Sequence, residues 1–214
     1  MNFAIMRLQK MNSLNSMHAA DRHFDDRKRL KNRTHPELEK KNRCFTFGHD
    51  ESLVKAFEDA SKRVNKTIRK DAVRCMEFVL TYSPEADGTF NLNDWVQRNY
   101  DWLVSQFGSE NVAKMRVEFD EKTPHIHAFV FPITKDGRLS AADYINGKKA
   151  LSRLQTSYSK SMEEFGLERG NNYQENPGRC TRKHRKCRDY WYEEAKAREA
   201  SYAIFKDDYA ERIF

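Results

Sequence analysis

No run of about 18 or more apolar residues occurs in the chain, so no segment qualifies as a membrane-spanning helix. The first residues carry no apolar stretch of the kind a secretory leader needs. Cysteine is scarce: Cys44, Cys75, Cys180 and Cys187 are the only four, and none forms a CxxC pair. These absences lead us to expect a reduced, cytoplasmic setting. Cys180, His184 and Cys187 resemble a zinc set in type, but they sit on a strongly basic stretch and lack a fourth ligand. No self-similarity at a period of about 20–50 residues is present, which excludes stacked-repeat architectures.

What is present is enough apolar material for one good-sized core: 214 residues, 38% hydrophobic and 12% aromatic. We expect a single globular domain with appendages. A third of the residues are charged, and the net charge of +7 favours polyanionic partners, nucleic acid first among them. The excess is localised. Residues 1–43 hold eleven lysines and arginines against five acids, among them Arg7, Lys10, Arg22, Arg27, Arg29, Lys31 and Arg33. A second basic cluster contains Arg182 and Lys183. Two such segments can line one nucleic-acid groove or form two separate solvated faces.

Residues 2–8 mix Phe3, Ile5, Met6 and Leu8 and predict a short strand. The polar segment 9–43 has few large apolar residues and is expected to be a functional loop outside the core. A helix is expected over 52–64 and a strand over 71–82, followed by a turn at 84–88. Asn91 or Asn93 then caps a helix striped by Val96, Tyr100, Leu103 and Phe107 and ended by Gly108. In residues 112–119, Met115, Val117 and Phe119 alternate with Lys114, Arg116 and Glu118, the pattern of a half-buried strand. A short turn leads to a second strand from His125, and the two should pair antiparallel. Residues 147–165 read as a helix closed by Gly166. Residues 1–170 are taken as the catalytic domain, 171–187 as a basic linker and 188–214 as a final helix. The element order favours an α+β fold, a largely antiparallel sheet with helices packed on it.

Residues two apart on a strand face the same way, so His125 and His127 project together as a metal-binding pair. Glu118 on the partner strand is available to that side and supplies a third ligand, leaving coordination positions open. Glu121, in the turn, is a candidate general base or support for a ligand. On this pattern alone, two surface histidines on an exposed strand remain an equal alternative.

The stretch Phe119-Asp120-Glu121-Lys122-Thr123-Pro124-His125-Ile126-His127 resembles the signature of MobV-type (Mob/Pre) plasmid mobilisation and recombination relaxases. The resemblance extends to MNFAIMRLQKM at the start, to Arg69-Lys70-Asp71-Ala72-Val73, and to blocks from Pro132 to Gly170. It implies a relaxase-like fold of the HUH type with a metal-binding β-hairpin, a divalent ion, Mn²⁺ or Mg²⁺, and no small-molecule cofactor. It also implies single-stranded or hairpin origin-of-transfer DNA and the conjugative coupling machinery as partners. The implied reaction is nicking and rejoining of one DNA strand through a covalent 5′-phospho-protein intermediate. The family's nucleophile is a histidine ahead of a motif that residues 36–42 match. That points to His23, with Arg27 beside it and Arg22, Arg69 and Lys70 on the DNA; His18 with Arg22 has the same spacing and competes.

Two positions depart from the family pattern. Three residues separate His23 from Arg27 where two are usual, and Glu118 stands where many relatives have histidine. A carboxylate there keeps a ligand and favours a harder ion. The departures keep open a second class of function, a catalytically inactive plasmid-encoded DNA-binding protein with the same fold.

Overall fold

The computed structural model describes residues 2–25 and 35–170. Its frame is a six-stranded sheet of β1 (Phe3–Met11), β2 (Arg43–Phe45), β3 (Cys75–Tyr82), β4 (Val112–Glu118), β5 (His125–Val130) and β6 (Glu168–Arg169), in the spatial order β2-β4-β5-β3-β1-β6. Every neighbouring pair is antiparallel except β1 and β6. The helices are α1 (Leu14–Asp25), α2 (Leu53–Ser61), α3 (Leu92–Phe107), α4 (Ala141–Tyr144) and α5 (Gly147–Ser161). The expected α+β class and antiparallel sheet are therefore present.

Alternation along the central strands sorts two cores onto the two faces of the sheet. On one face Met6, Met76, Phe78, Leu80, Met115, Val117, Ile126 and Ala128 pack with Trp95, Trp102 and Leu103 of α3 and Leu154 and Tyr158 of α5. Asn91 starts α3 by accepting from the backbone N–H of Asn93 and Asp94, and Gly108 ends it at φ 86°, a left-handed value that favours glycine. On the other face Met17 of α1 and Leu53, Val54, Ala56, Phe57 and Ala60 of α2 pack on Cys75, Ala113, Phe129 and Phe131. This second layer leaves the rest of its sheet face to polar side chains.

The polar segment differs from its sequence expectation. Strand β1 continues to Met11, and α1 follows, its first turn closed by Ser13 Oγ accepting from the Ser16 N–H at 3.2 Å. Met11 and Met17 are both core residues, Met17 with no exposed surface. Among its described side chains, buried Met17, partly buried Ala20 and a polar anchor described below seat this helix, few apolar residues in all, which is why its composition reads as loop. Strand β4 is likewise buried on both faces, Lys114 and Glu118 included, because α1 and α2 cover the side expected to be open. The short edge strand β2, three exposed residues long, gives no periodic signal and was not anticipated. The readings made for residues 171–187 and 188–214, and for Cys180, His184 and Cys187, lie outside the described residues. Among the described residues no helix is long and apolar enough to cross a membrane.

Met17→Ala removes the apolar contact that seats α1 and should lower unfolding stability by about 2–5 kcal/mol. Urea denaturation checks this: the midpoint should fall while the slope stays unchanged.

Candidate metal and DNA site

Residues directly opposite one another in a sheet share a face. The hairpin pairs Glu118 with His125, Arg116 with His127 and Lys114 with Phe129. Strand β3 continues the rows by pairing Thr81 with His125, Val79 with His127 and Glu77 with Phe129. Strand β1 adds Arg7 opposite Val79, and β2 adds Cys44 opposite Arg116. One face therefore collects Glu118, Arg116, Lys114, His125, His127, Glu77 and Arg7, and it is the face that α1 and α2 cover in part.

Two groups of potential ligands converge there. The donor atoms of His23, Glu118 and His127 lie within 4.8 Å of one another, and those of Glu118, Glu121 and His125 do the same. Glu118, fully buried, belongs to both. His125 Nε2 is 3.3 Å from Glu118 Oε2 and 3.9 Å from Glu121 Oε2, while its Nδ1 is 3.0 Å from the Thr123 carbonyl, to which it donates. Burial pulls the His125 pKa down, but the hydrogen bonds to Glu118 and Thr123 and the charges of Glu118 and Glu121 outweigh it. The net pKa is raised. His127 Nδ1 is 2.7 Å from Glu77 Oε1, an arrangement that fixes the ring and leaves Nε2 for the cluster. Glu77 was not singled out from the sequence, although it is the only charged residue in the strand CMEFVLTY.

Three carboxylates, Glu77, Glu118 and Glu121, surround the two strand histidines. Such a site repels a phosphodiester until a cation neutralises it. Carboxylate and imidazole donors in this number suit a divalent ion of hard to borderline character with positions left open. The donor set thus fits a divalent metal.

His23 comes from a helix, not from the loop expected. Asp21, one helical half-turn before it, accepts from Lys114 Nζ at 2.9 Å and from the Leu53 N–H at 2.8 Å. The Lys114 and Asp21 side chains are 6% and 17% exposed, so the ion pair is shielded from solvent. This anchor joins α1 to β4 and to the start of α2, and it carries His23 to a ring-centroid distance of 5.9 Å from His127. A second tie explains the block at 36–42. Asn42 donates through Nδ2 to Asp120 Oδ1 at 3.1 Å and accepts from the Phe119 N–H at 2.8 Å, and the His35 N–H meets the Asp120 carbonyl at 3.1 Å. The segment after α1 is thereby fastened to the turn that carries Glu121.

The other expected residues scatter. Arg7 and Arg22 are exposed, Arg7 on the cluster face of the sheet. Arg69 and Lys70 are exposed on the connection before β3, with Arg69 Nε 3.8 Å from Asp71. Lys10 lies on the opposite face of the sheet, because a strand running to Met11 puts it out of phase with Arg7, and its Nζ donates to the Ile145 carbonyl at 3.2 Å. Arg27, Arg29, Lys31, Arg33, Arg182 and Lys183 lie outside the described residues. His18 is exposed and belongs to neither ligand group. Arg116, half-buried beside His127, was not singled out, though strand alternation places it with Glu118.

The family profile described as plasmid recombination enzyme, Mob_Pre, matches residues 1–191. A 65 kDa protein of Zymomonas mobilis is 33% identical over 175 residues, covering 79% of this chain and 30% of its own length. A plasmid recombination enzyme of Bacillus thuringiensis is 29% identical over 174 residues, covering 78% of this chain and 38% of its own. The match thus spans only about a third of the length of these two curated relatives. Among solved structures, an Mn-bound MobM relaxase domain (MOBV; Mob_Pre) in complex with plasmid pMV158 oriT DNA superposes with a TM-score of 0.69 at 26% identity. The match covers 79% of this chain and 91% of that one. Another Mn-bound crystal structure of the same domain with oriT DNA gives 0.70 at 25% identity, over 87% and 98%.

Glu77→Ala should weaken Mn²⁺ binding by about 10–100-fold, since the His127 ring loses the carboxylate that orients it. Calorimetric titration with Mn²⁺ measures this, and an affinity equal to that of the unaltered protein would remove Glu77 from the site.

Proposed function

The chain belongs to the plasmid recombination enzyme family, Mob_Pre, and on that premise we propose that it is a metal-assisted DNA relaxase. It nicks one strand at a plasmid transfer origin, carries the 5′-phosphate covalently and rejoins it. The observation that supports this reading most is the placement of His23, whose donor atom lies within 4.8 Å of those of Glu118 and His127. A nucleophile and the residues that would clamp the scissile phosphate are then neighbours, as in-line phosphoryl transfer requires. The exposed His18 has no such neighbourhood. Tyr144, a tyrosine that could replace a histidine nucleophile, donates its hydroxyl to the Ile133 carbonyl and packs its ring on Phe107 in the other core.

In this reading Glu118, His125 and His127 hold the ion, and Glu77 fixes His127. When bound, the divalent ion supplies positive charge to the phosphoryl oxygens. His23 attacks phosphorus through a neutral ring nitrogen, the state in which ordinary histidine mostly exists at pH 7. The P–N bond forms as the P–O3′ bond breaks, and the 3′ oxygen leaves and takes up a proton. The phosphoramidate is a reactive link, so a 3′-hydroxyl can reverse the step. Glu121, beside His125, is the carboxylate assigned to proton transfer, and Arg27 is assigned to a flanking phosphate. The substrate is single-stranded or hairpin origin DNA, with Arg7, Arg116, Arg22, Arg69 and Lys70 as backbone contacts and the conjugative coupling machinery as protein partner. Residues 1–170 form the catalytic domain in this proposal.

A supercoiled plasmid bearing the cognate origin should be nicked in the presence of Mn²⁺ or Mg²⁺. His23→Ala should bind the same DNA normally, and the metal normally once that DNA is bound, yet lose nicking by about a thousandfold or more. The adduct of the unaltered protein should be acid-labile and alkali-stable. A plasmid that stays supercoiled under these conditions would mark the chain as a binder without catalysis. An adduct formed by His23→Ala would move the nucleophile elsewhere. Affinity for the origin strand should also fall with salt, each phosphate contact contributing about −0.7 to the log-log slope. Replacing Arg7 and Arg116 together by alanine should flatten that slope by about 1.4, whereas an unaltered slope would take both off the DNA path.

A further inference from the structure

We propose that in the DNA-free protein His23 is itself a ligand of the divalent ion, and that arrival of the DNA phosphate frees it to act as nucleophile. The inference rests on the proposed metal site and concerns its resting state. Its basis is the composition of the two ligand groups. His125 falls in a group with Glu118 and Glu121, and the imidazole grouped with His127 and Glu118 is that of His23. With no DNA present, the fold has already brought the His23 donor atom within 4.8 Å of those of a buried carboxylate and a half-buried imidazole.

Neither partner in that group is free to turn away. His127 has its Nδ1 engaged by Glu77 at 2.7 Å, and its ring is 5.9 Å from the His23 ring and 5.0 Å from that of His125. Glu118 is buried and sits 3.3 Å from His125 Nε2. His23 is held by a helix whose register is locked two residues earlier, at Asp21 against Lys114 and the Leu53 N–H, so its approach does not depend on a loop closing. The two groups meet at Glu118, and the first brings in His23 as a donor beyond the three, Glu118, His125 and His127, inferred from the hairpin. A hard divalent ion takes about six ligands, and in the absence of substrate this extra protein donor fills a position that the reaction needs open.

The chemical consequence lies with the lone pair. The ring nitrogen that ligates is the one that attacks, so while it is engaged it neither takes up a proton nor reacts with phosphate. When the DNA phosphate settles on the cluster, His23 gives up its place and is left adjacent to the phosphorus it attacks. Substrate binding and activation of the nucleophile become one event.

Mn²⁺ titration of DNA-free protein tests this, with pulsed electron paramagnetic resonance to count imidazole nitrogens on the ion. His23→Ala places alanine, the best helix former, on a half-exposed helical position and should fold. In the DNA-free state it should bind Mn²⁺ at least about tenfold more weakly than the unaltered protein, by analogy with the loss of a supporting group, and show one imidazole fewer. The measurement is repeated with an origin-strand oligonucleotide spanning the nick position in which a methylene replaces the bridging 3′ oxygen, so that the P–O3′ bond the reaction breaks is a P–C bond it does not. There the two proteins should bind Mn²⁺ equally and show the same nitrogen count. Equal Mn²⁺ affinity without DNA, alongside a clear loss in His127→Ala, overturns the inference and leaves the metal site standing. If His127→Ala also binds Mn²⁺ unchanged, the metal site itself falls and the inference with it.

Discussion

Asp21 ties three elements at one point: its own helix α1, the start of α2 through the Leu53 N–H, and β4 through Lys114. The pair with Lys114 is shielded from solvent, and removing one partner of such a pair typically costs about 3–5 kcal/mol because the other charge is stranded. The carboxylate also accepts at a helix N-terminus, where backbone N–H groups and the dipole favour negative charge. The face of the sheet that carries Glu118, His125 and His127 would exist without this contact. The approach of His23 to that face would not, since among the described side chains of α1 Met17 is the one fully buried and Ala20 packs only in part.

Electrostatics gives the site a second level of order. The hairpin and β3 gather three carboxylates around two imidazoles, a composition hostile to DNA, while Arg7 and Arg116 flank His127 on the same face. Attraction from the flanks and repulsion at the centre place a phosphate productively only once the centre has been neutralised. Under the proposed function this sign pattern makes strand binding at the reactive position conditional on the cation, while binding along the flanks need not be.

The hairpin was legible because alternation survives in its sequence: Met115 and Val117 against Arg116 and Glu118, then His125 and His127 two apart. His23 was legible only through the resemblance, since the segment around it carries little apolar signal. Glu77 and Asp21 were not legible as partners. The first depends on the register of β3 against β5, the second on a contact between residues 93 positions apart. Lys10 was grouped with Arg7 on charge alone; with the strand running to Met11, residues three apart face opposite sides of the sheet. Burial on both sides of β4 depends on what covers it, and a sequence window does not contain the cover.

The sheet closes through a pairing of only two residues, Phe3 with Glu168 and Ala4 with Arg169, reinforced by Arg169 Nη2 donating to Ser152 Oγ at 2.9 Å. Joining positions so far apart in sequence exacts loop-closure entropy that a two-residue ladder hardly offsets. Opening of the body therefore begins at the margin, at β6 and β2, in the manner of local fraying. Strands β4 and β5, which carry Glu118, His125 and His127, lie inward of both margins, so the candidate ligand cluster sits in the part of the sheet farthest from the edges that fray first.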